Sequence, residues 1–217
     1  EKEEGRDFAL WKGYKPTDGD VYWDSPWGKG RPGWHIECSV MSTFYLGNHF
    51  DIHCGGVDNI FPHHENEIAQ SCAASGEAFV NYWLHNEHLL VDNQKMSKSA
   101  GNFYTLRDLI DKKCSLEAIR YTLISTHYRS KLNFTFDKVR TSQKCINKLC
   151  ELKRRLVLVK KNSNAVGAGT VAEEMLSGFS QKLGDDLNIS GALGELFTWV
   201  NDMFYRLHND EINYEIS

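Results

Sequence analysis

The chain has 217 residues, with 25 Lys plus Arg against 29 Asp plus Glu, for a formal net charge of −4. With 41% hydrophobic and 25% charged residues and a mean hydropathy of −0.48, it reads as a globular protein, not a disordered or fibrous one. No apolar run approaches the ~20 residues of a membrane-spanning helix, which excludes a helical membrane protein, and the mild acidity argues against a general nucleic-acid coat protein. Six cysteines (Cys38, Cys54, Cys72, Cys114, Cys145 and Cys150) show no regular spacing and read as reduced thiols or metal ligands, not as a disulfide scaffold. The chain opens on Glu1-Lys2-Glu3-Glu4, without Met or a signal-peptide pattern, and reads as an internal segment of something longer.

The first hundred residues are rich in Gly, Trp and His, with apolar bursts at Phe50–His53, Tyr82–Leu84 and His88–Val91. Short buried strands alternating with helices are expected there, which is the pattern of an α/β sheet. Gly28-Lys29-Gly30-Arg31-Pro32-Gly33 satisfies the dinucleotide pattern G-x-G-x-x-G. It lacks a preceding apolar strand and carries Pro32 where a helix should open, so it reads as a structured loop.

Phe61-Pro62-His63-His64-Glu65-Asn66-Glu67-Ile68 follows. Pro62 suits the first position of a helix, and on that helix His63 and Glu67 point the same way one turn apart. That spacing fits zinc, which takes nitrogen, oxygen and sulfur ligands, with Cys38 able to add a thiolate. Spacing alone equally allows ordinary polar capping. Lys95-Met96-Ser97-Lys98-Ser99-Ala100-Gly101-Asn102 suits a mobile loop whose ammonium groups neutralise charge developing on pyrophosphate. A solvated lysine turn has the same composition.

From Thr105 the period becomes helical. Thr105 to Asp108 reads as a capping box and Ser115 as a second cap. A long amphipathic helix is expected from about Asp137 to Lys161, then a linker over Asn162–Gly169, then helices near Val171–Leu183 and Ser190–His208. Charge is segmented. Residues 137–161 carry nine basic and two acidic groups, while 1–70 carry six against twelve and 162–217 two against nine. The basic helix is either a phosphate-contacting surface or a solvated one.

Lys95-Met96-Ser97-Lys98-Ser99 resembles the KMSKS signature loop of class I aminoacyl-tRNA synthetases. The stretches Ser25–Ser39, Phe50–His53, Phe61–Gln70, His127–Ser130 and Asp185–Asn188 resemble the cysteine-specific members of that family. The resemblance implies a Rossmann-like α/β catalytic fold, of which residues 1–104 are the second half with the zinc site and signature loop. Residues 105–162 would be a helical stem-contact region with the basic helix, and 163–217 the start of a helical domain. It also implies that Cys38, His63 and Glu67 hold Zn²⁺ and that Trp34, His53 and Asp58 line the cysteine pocket. Gly55, Gly56, Asp58, Lys95 and Lys98 would face ATP, bound with Mg²⁺, and both lysines would serve catalysis.

The implied activity is ligation of cysteine to its tRNA through cysteinyl-adenylate, in a cytoplasmic and monomeric enzyme. Its zinc would bind the substrate thiolate, so that no editing domain is needed. The family's paired-histidine ATP motif and fourth zinc ligand, a cysteine, are not found here and would belong to an N-terminal half. This segment alone is therefore expected to be inactive. Cys54 stands where the family has Gly and is not expected to be that ligand. Two other readings stay open. One is the related ligase joining cysteine to an amino-sugar in mycothiol synthesis, against which the basic helix and the Asp185 segment count. The other is a non-catalytic zinc- or RNA-binding paralogue.

Overall fold

Two glycines shape the entry to the first helix. A computed structural model describes residue 4, residues 7–159 and residues 166–213. Strand β1 (Trp11–Gly13) pairs antiparallel with β2 (Gly30–Pro32). The glycine-rich stretch expected as a loop therefore contains a strand. A Cβ at Gly30 would collide with the Lys12 carbonyl, and one at Gly33 with the Ala9 carbonyl. Close backbone approach, and not phosphate binding, accounts for these two glycines. Gly33 then caps helix α1 (Trp34–Leu46) in an extended conformation, and Gly47, at φ 90°, ends it.

Strand β3 (Phe50–Gly56), helix α2 (Glu65–Ser75) and strand β4 (Val80–Asn86) form a parallel βαβ unit. His53 pairs with Trp83 and Gly55 with His85 in its register. Helix α2 is entered through a short helical turn in which Phe61 is extended and the Phe61–Pro62 peptide is cis. Pro62 thus opens helical backbone, as its fixed φ favours. The Ser39 hydroxyl donates to Gln70 Oε1 at 2.6 Å, tying α1 to α2. These elements belong to a compact unit spanning Glu1–Asn86, and a second unit spans Glu87–Ser217.

The second unit starts with β5 (Leu89–Val91), which pairs antiparallel with β6 (Gln94–Lys95) and parallel with β7 (Leu132–Phe134). Asp92 and Asn93, both at positive φ, make the two-residue turn that matches strand twist in tight hairpins. Helix α3 (Leu106–Asp111) carries the expected capping box, with Thr105 and Asp108 satisfying each other. Helix α4 (Leu116–Ile124) is capped by the Ser115 hydroxyl, which accepts from Ala118 N–H. Val91, Leu109, Ala118, Ile119, Phe134 and Val139 are buried together and form the first apolar cluster.

Helix α5 runs Phe136–Val157, ending about a turn before the expected Lys161. Leu158 N–H turns back onto Arg155 and Leu156 carbonyls there, and Val159 packs inward. Residues 160–165, including the first half of the expected linker, lie outside the described residues. Strand β8 (Val166–Gly167) and helix α6 (Ala168–Gly184) take up the rest of it, so the linker is shorter than expected. Helix α7 (Ile189–His208) is capped by Asn188, and β9 (Ile212–Asn213) pairs parallel with β8. Leu152, Val200, Met203 and Ile212 form a second buried cluster. Met203→Ala is expected to cost about 2–5 kcal/mol by emptying this fully buried site, read as a shift of the urea unfolding transition.

The turn between α6 and α7 is held from outside. Asp186 and Leu187 both have positive φ, a backbone cost of roughly 1–3 kcal/mol each for residues other than glycine. Arg129 Nε lies 2.7 Å from Asp186 Oδ2, Tyr128 O–H donates to Asp186 Oδ1 at 2.6 Å, and His127 Nε2 meets the Asp186 carbonyl at 2.8 Å. The Tyr128 hydroxyl and the Arg129 guanidinium hold the Asp186 carboxyl below its ordinary range.

Candidate metal centre and signature loop

Four elements of the first unit converge on one buried carboxylate. Helix α1 contributes Trp34, His35 and Cys38; β3 contributes His53; the turn entering α2 contributes His63 and His64; and α2 itself brings Glu67. Glu67 is fully buried, and His63 and His64 nearly so. One helical turn separates His63 from Glu67, and His63 Nε2 lies 2.8 Å from Glu67 Oε1. Oε1 nonetheless has no hydrogen-bond partner. The ring nitrogen and the oxygen thus lie close without being aimed at each other. The other oxygen, Oε2, meets His53 Nε2 at 2.7 Å.

Cys38, His63 and Glu67 each offer one ligand atom, all within 4.8 Å of one another. Sulfur, nitrogen and oxygen donors around an unsatisfied buried carboxylate oxygen fit Zn²⁺, a borderline-soft cation that takes all three. His53, His64 and Glu67 form an overlapping second group. Cys54 is exposed and lies in neither group.

Burial disfavours charge on two of the site's imidazoles and on its thiol. Burial, then the neighbouring His53, His85 and His63, pulls His64 down to about 4. Burial and His63 lower His35. Burial, followed by the negative charges of Glu67 and Glu37, pushes the Cys38 thiol up. A divalent cation reverses that last direction, since coordination favours the thiolate outright.

The predicted pocket residues lie in the same unit. The exposed Trp34 ring sits 4.5 Å from the His63 ring. Gly55 makes room for His64, because a Cβ there would lie 2.6 Å from His64 Cε1. A Cβ at Gly56 would meet Asp58 Oδ1, and Asp58 itself is exposed in the turn after β3. Two partnerships were not expected from sequence. His35 Nδ1 meets His63 Nδ1 at 2.8 Å, and His64 Nδ1 meets His85 Nε2 at 2.7 Å. A signal for the first was available, because His35 lies three residues before Cys38 on one helix and so shares its face.

Lys95 and Lys98 belong to the second unit. Lys95 ends β6, and both lysines are exposed. Asn102 closes the loop between them by accepting from Ser97 N–H at 2.8 Å and donating to the Lys95 carbonyl at 3.1 Å. Ala100 N–H adds a bond to the Ser97 hydroxyl. Met96 packs against the first apolar cluster, while Lys98 Nζ lies 5.6 Å from the Phe103 ring centre. The loop is thus anchored by its methionine and presents its cations outward.

Comparison with known proteins places this arrangement. A Brachyspira hyodysenteriae protein named Cysteine–tRNA ligase is 61% identical over 203 residues, covering 92% of this chain and 43% of that protein. Proteins of the same name from Protochlamydia amoebophila and Opitutus terrae are 50% and 53% identical, covering 94% and 93% of this chain. The chain spans less than half the length of these relatives. In fold it resembles the LeuRS of an Agrobacterium radiobacter ternary complex with tRNA and LeuAMS, with a TM-score of 0.62 at 12% identity over 90% of this chain and 30% of that one. Among the described residues no helix is long and apolar enough to cross a membrane. Residues 1–144 match the family described as tRNA synthetases class I (C) catalytic domain, and the α/β chain whose buried carboxylate and lysine loop are described above belongs to that family.

Proposed function

We propose that this chain is the part of a cysteine–tRNA ligase that selects cysteine and carries the signature loop. The observation that carries the reading is the convergence of Cys38, His63 and Glu67 on a buried carboxylate oxygen without a hydrogen-bond partner. These three residues would hold Zn²⁺, and the family's further cysteine ligand is assigned to the rest of the protein. When bound, the metal supplies selectivity for a thiolate over a hydroxyl, because serine stays protonated and is a poor zinc ligand.

The two steps need no covalent nucleophile from the protein. A carboxylate oxygen of cysteine forms a bond to the α-phosphorus of ATP as the bond to pyrophosphate breaks. A hydroxyl of the tRNA's terminal adenosine then attacks the acyl carbon, AMP leaves, and the hydroxyl proton is lost. Positioning and charge neutralisation dominate such chemistry. Lys98, helped by Lys95, would neutralise charge on the departing pyrophosphate of Mg²⁺-bound ATP. Gly55, Gly56 and Asp58 would face the nucleotide, and Trp34 and His53 the cysteine.

Cysteine-dependent ATP–pyrophosphate exchange by the full-length protein tests the reading, with serine as the competitor. Exchange supported equally by serine would defeat zinc selection, and its complete absence would favour a non-catalytic paralogue. Helix α5 would meet tRNA phosphates, although its cations are partly occupied. Arg154 and Arg155 both pair with Glu151, which they hold down to about 2. Lys148 bonds Asn201 and lies near the Phe204 ring. Replacing Lys153, Arg154 and Arg155 by alanine is expected to reduce the salt slope of tRNA binding by about 0.9 per lost phosphate contact. An unchanged slope in filter binding across salt concentrations would remove that role.

A further inference from the structure

The geometry points to His35 as a positioning residue that holds His63 in the tautomer able to ligate metal; this rests on the zinc reading above. His63 has two ring nitrogens with different neighbours. Nε2 lies 2.8 Å from Glu67 Oε1, and Nδ1 lies 2.8 Å from His35 Nδ1. A neutral imidazole carries one proton, so one nitrogen donates while the other keeps a lone pair. Metal binding through Nε2 needs the proton on Nδ1, and the acceptor within reach of Nδ1 is the His35 ring nitrogen. His35 must then keep Nδ1 unprotonated and carry its own proton on Nε2.

The opposite arrangement leaves the site poorly bonded. With the proton on His63 Nε2, the N–H would have to serve Glu67 Oε1, yet that oxygen has no hydrogen-bond partner despite the 2.8 Å separation. Glu67 is divided in a complementary way. Oε2 is bonded to His53 Nε2, which leaves Oε1 to the site. His35 is itself held in place by its neighbours. The Phe8 ring meets it edge-on at 6.0 Å and the Trp34 ring stacks at 5.7 Å. Orienting partners of this kind, on the far side of a ligating imidazole, fix both ring direction and tautomer.

Zinc affinity of the full-length protein, measured by competition with a chromogenic chelator, tests this. Phenylalanine at position 35 keeps a ring but removes the acceptor, whereas asparagine places an oxygen close to where Nδ1 stood. His35→Phe is expected to weaken zinc binding about 10–100-fold, while His35→Asn stays within about 3-fold of the parent. Nitrogen-15 NMR of histidine-labelled, zinc-loaded protein should show His63 protonated at Nδ1 and metallated at Nε2. Equal affinity of the phenylalanine variant and the parent would overturn the proposal. Equal weakening by both variants, or metallation of His63 at Nδ1, would overturn it as well. The NMR assignment reads the parent protein, so it decides even if His35→Phe fails to fold. Should the parent bind no zinc, or Cys38→Ser bind it as well as the parent, the zinc reading itself fails and takes this proposal with it.

Discussion

Cys38→Ser is expected to lower the zinc affinity of the full-length protein by about 30–1,000-fold. Structural zinc sites bind with about 10–16 kcal/mol over four ligands, so one ligand is worth about 2–4 kcal/mol. Serine matches the cysteine side chain in shape but keeps its proton, and it cannot replace a thiolate. The same variant should lose cysteine-dependent ATP–pyrophosphate exchange, or lose its discrimination against serine. Chelator competition and exchange with each amino acid read the two effects separately. Because Cys38 is only half-buried on α1, the fold should survive the change, and circular dichroism checks that. Unchanged zinc affinity would mean that Cys38, His63 and Glu67 meet for structural reasons alone.

Lys98→Ala is expected to slow exchange by about 10²–10³-fold, the usual consequence of removing one group that stabilises developing charge. The loss should fall mainly on kcat, with a smaller change in the KM for ATP, since the charge on pyrophosphate grows as its bond breaks. Lys98 is exposed, and its ammonium lies over the Phe103 ring. Its removal should therefore shift stability by no more than about 0.5 kcal/mol, so the kinetic effect and folding can be read apart. Lys95 donates no side-chain bond within the loop, and its carbonyl is what Asn102 holds. Lys95→Ala should accordingly leave the loop closed. An exchange rate unaffected by Lys98→Ala would return this segment to a solvated turn.

Helical features were legible because they are local. The Thr105 and Ser115 caps and the amphipathic face of α5 follow from spacings of three and four residues, and the structure has each of them. The apolar bursts that form β3, β4 and β5 were legible as well, whereas the other short strands were not. Trp11–Gly13 and Gly30–Pro32 show no alternation, and they pair because the intervening turn brings distant backbone together. Lys95 belongs at once to a strand and to the signature loop, and only pairing with Leu90 reveals the strand. In the metal centre, the His63–Glu67 pair was readable from one helical turn, and Cys38 entered through family resemblance. The His53 bond to Glu67 and the His35 bond to His63 join segments 14 and 28 residues apart, which no local pattern encodes. The border of the two compact units at Asn86 and Glu87 carries no glycine, proline or charge signal.

Helix α5 lends Val139 to one apolar cluster and Leu152 to the other. Over its 22 residues it is a single hydrogen-bonded rod, so fraying at either end draws on the anchorage of both. The described helices and strands of the second unit should accordingly open as one foldon, with amides near the Met96 anchor and those in the α6–α7 hairpin exchanging at a common free energy. A lesion at Met203 would then be felt as a loosening of the strands that carry Lys95, at a site it never touches.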